Sequence, residues 1–121
     1  MLNITDEQFS ELEDDARLRF RARLAGWLRV HAEPARSMDY LELIALIERQ
    51  EPRAAAYQIE TERGIAKWCY LAVITSQRFD QMAEVDAVLR DRRYGMPSQR
   101  LDAVMAGFMH AAHEYELGIR R

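Results

Sequence analysis

From Ala54 to Asp80 the chain reads AAAYQIETERGIAKWCYLAVITSQRFD. Between Gly64 and Ser76 it carries one charge, Lys67, among Ile65, Ala66, Trp68, Cys69, Tyr70, Leu71, Ala72, Val73 and Ile74. A helix that is apolar on every side is enclosed by other helices rather than laid on a surface. Thr61 stands where an N-cap would, and the segment predicts a helix over residues 62–76. The Val, Ile and Thr content would also permit a buried strand. Length, the Thr cap and the lack of a second strand-like segment favour helix. The expected fold is therefore all-α: a single domain over 1–121, a bundle of about five helices around this central one. Trp68, Cys69, Ala72 and Val73 should be nearly inaccessible.

The flanking segments supply the other helices. Thr5 and Gln8 have the spacing of a capping box, and Ile4 and Phe9 that of a hydrophobic staple. Apolar positions then recur at Phe9, Leu12, Ala16, Phe20, Leu24, Trp27 and His31, a three-and-four rhythm. Acids (Asp6, Glu7, Glu11, Glu13, Asp14, Asp15) precede arginines (Arg17, Arg19, Arg21, Arg23, Arg29), which suits the helix dipole, and Glu13–Arg17 and Asp15–Arg19 fall four apart. Pro34 should end this helix near Ala32. Ser37 or Asp39 caps a second helix with a wide face of Tyr40, Leu41, Leu43, Ile44, Leu46 and Ile47. Pro52 either kinks it or lets Glu51 cap a short restart, with helix regained through Tyr57. A short helix is expected from about Met82 to Arg92, then a turn at Tyr94-Gly95-Met96-Pro97. Ser98 would cap a last helix striped by Leu101, Val104, Met105, Phe108, Ala112 and Tyr115. Gly118 would end it before Arg120-Arg121.

Composition narrows the classes of function. The chain of 121 residues is long enough to bury a core without disulfides or metal. One cysteine, Cys69, cannot form an internal disulfide, and an inert core thiol fits a reducing compartment. No leader sequence or run of ~18 apolar residues is visible, so a cytoplasmic protein that neither crosses nor binds a membrane is expected. Net charge is −3, with 17 basic and 20 acidic residues, which gives no general attraction for nucleic acid. Sixteen of the 17 basic residues are arginine, as a GC-rich coding sequence would produce.

Few constellations carry chemistry. His110, His113 and Glu114 share one helix face at metal-ligand spacing, but they match neither the HExxH of zinc hydrolases nor the Glu-x-x-His pairs of di-iron bundles. A solvated helix face is the reading kept, with no metal and no cofactor. Cys69 is predicted too buried to act as a nucleophile, and no nucleophile elbow, P-loop or dinucleotide fingerprint occurs. No catalytic residues and no enzymatic activity are expected. Arg90, Arg92, Arg93 and Arg100 around Tyr94 read as a solvated helix end, with phosphate or acidic-protein binding as the alternative. Leu18, Ala22 and Ala25 lie off the main stripe of the first helix, where small residues would let a partner helix approach.

The pattern A-x-x-Y-x-I-x-T-E-R, then a buried helix, then F-D, resembles a family of small helical accessory proteins. These are encoded beside spike, PAAR-tip and effector genes of type VI secretion systems. Tyr57, Ile59, Thr61, Glu62, Arg63, Phe79 and Asp80 stand at the family's recurring positions. Gln58 and Ser76 depart from it, each standing where a glycine is usual. The resemblance implies a non-catalytic co-chaperone or adaptor that binds an effector chaperone, or the effector itself, and aids its loading. An immunity protein that neutralises a cognate toxin is the alternative. The expected partner contacts are Leu18, Ala22 and Ala25 on the first helix, or a rim at Tyr57, Arg63, Phe79 and Asp80. Homo- or hetero-oligomers are both open.

Overall fold

Three side-chain caps set the starts of the first three helices. In a computed structural model, which describes residues 5–116 (Phe9 and residues 112–116 by backbone alone), Thr5 Oγ1 accepts from Gln8 N at 3.2 Å and Gln8 Oε1 accepts from Thr5 N at 2.9 Å. This capping box opens α1, Asp6–His31. Asp39, not Ser37, caps α2 (Tyr40–Ala55) by accepting from Glu42 N. Thr61 caps α3 (Glu62–Ile74) by accepting from Gly64 N. Two further helices follow, α4 (Ala83–Arg90) and α5 (Pro97–Glu116), with 3-10 turns at Glu33–Ser37, Phe79–Gln81 and Arg92–Tyr94. Five α-helices and no strand are present among the described residues.

The central helix lies where its sequence demands. α3 packs against α1, α2 and α5 and against two of the 3-10 turns, while α4 packs on α5. Trp68, Cys69, Leu71 and Ala72 are completely buried and Val73 nearly so. From α2 come Leu43, Leu46 and Ile47, from α5 Leu101 and Val104, and from the connections Ala35, Ile59 and Phe79. Tyr40 and Leu41 stay exposed, so the core face of α2 is narrower than its apolar sequence.

Several boundaries differ from the sequence reading, each for a local reason. α2 runs on through Pro52 with no restart at Glu51. The proline sits in the last turn, where its missing donor costs one helical bond, and the helix ends at Ala55 rather than Tyr57. α5 begins at Pro97, which is suited to a first helical position. Ser98 is therefore inside the helix, and Gln99 Oε1 reaches back to Met96 N at 2.8 Å. Ile4, Gly118 and the terminal arginines lie outside the described residues, as do the side chains of Ala112 and Tyr115.

α2 and α3 end in the same device. Ile59 N donates to Ala54 O (3.0 Å) and Gln58 N to Ala55 O (2.9 Å); Gln77 N donates to Ala72 O (2.6 Å) and Ser76 N to Val73 O (3.4 Å). Both are Schellman motifs, whose key residue adopts a left-handed backbone and is usually glycine. Here the key residues are Gln58 (φ 64°) and Ser76 (φ 53°), the two positions where the resembled family has glycine. Neither side chain makes a hydrogen bond that would offset the strain, so Gln58→Gly and Ser76→Gly should each stabilise the fold by about 0.5–1 kcal/mol. Urea denaturation of the two variants checks this.

Candidate partner-binding surface

The motif residues turn inward. Tyr57 packs tilted on Trp68, with ring centroids 5.6 Å apart, and Phe79 meets the indole edge-on at 4.6 Å. Trp68 Nε1 donates to Gln50 Oε1 at 2.9 Å, and Gln50 Nε2 donates to Gln77 Oε1 at 3.2 Å. Gln50 is completely buried, so its amide is satisfied on both sides by this relay. Gln77 reaches it because its own backbone is left-handed (φ 63°) at the end of α3. Ile59 lies over Gly64, where an added Cβ would come within 2.8 Å of Ile59 Cγ2.

The charged members of the motif join helices. Glu62 pairs with Arg23 of α1 at 3.2 Å. The Asp80 side chain is only 8% exposed; its Oδ2 forms an ion pair with Arg53 Nε at 3.0 Å, while its buried Oδ1 has no hydrogen-bond partner. Tyr57 Oη donates to Asp86 Oδ1 at 2.6 Å, and Arg90 covers the Tyr57 ring while binding the same carboxylate. Burial, then the bond to Asp86, raises the Tyr57 pKa; the bonds from Tyr57 and Arg90 lower that of Asp86. Phe79 is fully buried, and Tyr57 and Asp80 are engaged within the fold. Arg63 alone of the expected rim is an exposed side chain, at a cleft with Thr61, Lys67, Ser98 and Asp102.

The expected face on α1 is also revised. Ala25 is 0% exposed and belongs to the core with Leu24, Leu28 and Ala32. Ala22 is half-buried, and only Leu18 (58% exposed) faces outward. The bundle takes this face and leaves the regular stripe partly uncovered. Along that stripe Leu12 is 54% and Trp27 42% exposed, and Ala16 is exposed, while Phe20 packs on the core edge. Trp27 leans on His31 (4.7 Å) and Tyr70 (6.0 Å).

More telling is the first half of α1. Every described side chain from Thr5 to Arg19 is exposed, over four turns of helix. At ~1.5 Å per residue this arm is roughly 22 Å long. It meets the body at a groove of about 490 Å³, lined on its apolar side by Ala16, Phe20, Pro52, Ala55, Ile59 and Ile65. Arg21 anchors the groove's edge through Glu51 at 2.7 Å; that bond is the main reason its pKa is raised. The ion pairs of α1 thus run across to α2 and α3.

Burial pushes the Cys69 thiol up to about 12, so at neutral pH it is not a thiolate. Native protein should react with a thiol reagent at least about tenfold more slowly than urea-unfolded protein, as an absorbance assay would read. No group of three His, Cys, Asp or Glu side chains among the described residues is placed to hold a metal ion. His110 is exposed; the side chains of His113 and Glu114 lie outside the described residues. In the arginine cluster, Arg90 binds Asp86, Arg93 binds Asp91, and Arg100 donates to the carbonyls of Gly95 and Leu89. No described helix is long and apolar enough to cross a membrane.

The fold and surface define an all-α bundle with a projecting helical arm. No family model, curated protein or solved structure matches the chain. Sequence reasoning missed the arm, although its signal was present. Residues 6–19 carry charges around most of the helical wheel, which no buried helix tolerates.

Proposed function

We propose that this protein is a non-catalytic accessory factor, a co-chaperone or adaptor of the type VI secretion kind its sequence resembles, acting in the cytoplasm by protein–protein contact. It would bind an effector chaperone, or the effector, and aid its loading. The observation that carries the reading is the arm: four turns of capped helix with every described side chain exposed and an apolar groove at its base. A helix this bare gains little from its own bundle, and contact with another protein is what it is shaped for. The left-handed Gln58 and Ser76 add support, since the glycines of the resembled family would sit there without strain.

The test is co-purification with the products of neighbouring genes, followed by deletion. On this reading the deletion strain loses delivery of one effector while the secretion apparatus still fires. Intact delivery, together with poisoning of the strain by its sisters' toxin, would instead mark an immunity protein and overturn the adaptor reading.

A further inference from the structure

The arm carries a pattern that its exposure alone does not explain. Six acids (Asp6, Glu7, Glu11, Glu13, Asp14, Asp15) fill the half before Ala16, and Arg17, Arg19, Arg21 and Arg23 the half after it. The helix dipole accounts for acids in the first turn only, Asp6 and Glu7. Glu11 to Asp15 lie further in. At 3.6 residues per turn, Glu13 and Arg17 fall on one flank of the Leu12–Ala16–Phe20 stripe, and Asp15 and Arg19 on the other.

We propose that α1 pairs with α1 of a second copy of this chain, antiparallel, about a two-fold axis at Ala16. In that register Glu13 stands beside Arg17 of the second copy and Asp15 beside Arg19 of the second copy, each about 3 Å apart along the axis. The two-fold repeats both pairs, giving four complementary contacts around one small central residue. Leu12 comes opposite Phe20 of the second copy, at the groove beside Pro52, Ala55, Ile59 and Ile65. A parallel, in-register pair would set Glu13 against Asp15 and Arg17 against Arg19, like against like, and flanking charges of this kind select orientation in helix pairs. The overlap of residues 6–26 runs for ~31 Å, most of the length of α1. This pairing takes up the same arm on which the accessory reading rests, so a hetero-partner would have to bind the dimer on another surface.

Analytical ultracentrifugation of the purified full chain should find twice the mass of a single copy at tens of micromolar. Two double variants, E13R/D15R and R17E/R19E, should each raise the dissociation constant by about a hundredfold or more while circular dichroism stays helical. Mixed in equal amounts they restore all four complementary contacts, and a one-to-one dimer should form. Under mild oxidation A16C should link to itself and L12C should not; the buried Cys69 does not interfere. A monomeric parent, dimeric charge-swap variants, failure of two folded variants to pair, or self-linking of L12C would each overturn the proposal. A monomer would leave the adaptor reading standing, with the arm reserved for another protein. A confirmed dimer that captures no neighbouring gene product would separate the two in the opposite sense.

Discussion

Trp68→Ala should lower the stability of the protein by about 3–5 kcal/mol in urea denaturation. The indole is the largest fully buried side chain, and it is held by three others. Tyr57 and Phe79 both pack on the ring, and Gln50 accepts its N–H. Truncation opens a cavity under both rings and strands a buried amide oxygen. Domains of this size have only about 5–15 kcal/mol in total, so the loss consumes a large share. Trp68→Phe separates the two contributions. It keeps an aromatic surface for Tyr57 and Phe79 but leaves Gln50 Oε1 unpaired, and should cost about 1–3 kcal/mol. If Trp68→Ala unfolds at nearly the parent urea concentration, α3 is not the centre of the bundle.

Ala25→Arg and Leu18→Arg, seven residues apart on one helix, should differ almost as much. Ala25 is fully buried in the core cluster it shares with Leu24, Leu28, Ala32 and Ala35, all of them apolar. An unpaired charge there should cost about 3–5 kcal/mol. Leu18 is exposed on the bare arm, so Leu18→Arg should stay within about 0.5 kcal/mol of the parent. Leu18 also lies away from the Ala16 stripe, which makes its variant a control for self-pairing. Thermal melts of the pair decide the matter. Equal tolerance at both positions would restore the outer-face reading of Ala25 that the sequence suggested.

The local chemistry of the chain was legible in its residues. Thr5, Asp39 and Thr61 cap helices because a short side-chain oxygen at that spacing satisfies free amides whatever surrounds it. Pro34 ends α1 for an equally local reason. The central place of α3 also follows from its own sequence, since a helix apolar all round has no face left for water.

What the sequence could not decide was which surfaces the helices spend on one another. α1 carries a regular apolar stripe, Leu12–Ala16–Phe20–Leu24–Trp27, and a second set beside it, Ala25–Leu28–Ala32. Periodicity ranks the first higher, yet the bundle buries the second set whole and, of the stripe, Leu24, while Leu12 and Trp27 stay exposed. The motif residues were misjudged on similar grounds. Tyr57, Phe79 and Asp80 look like a rim when read along the chain, and only the approach of α2 to α3 shows them clasping Trp68 and Arg53. Spacing along one helix states which residues share a side. Whether that side meets protein or water depends on the other helices and on how closely they can come.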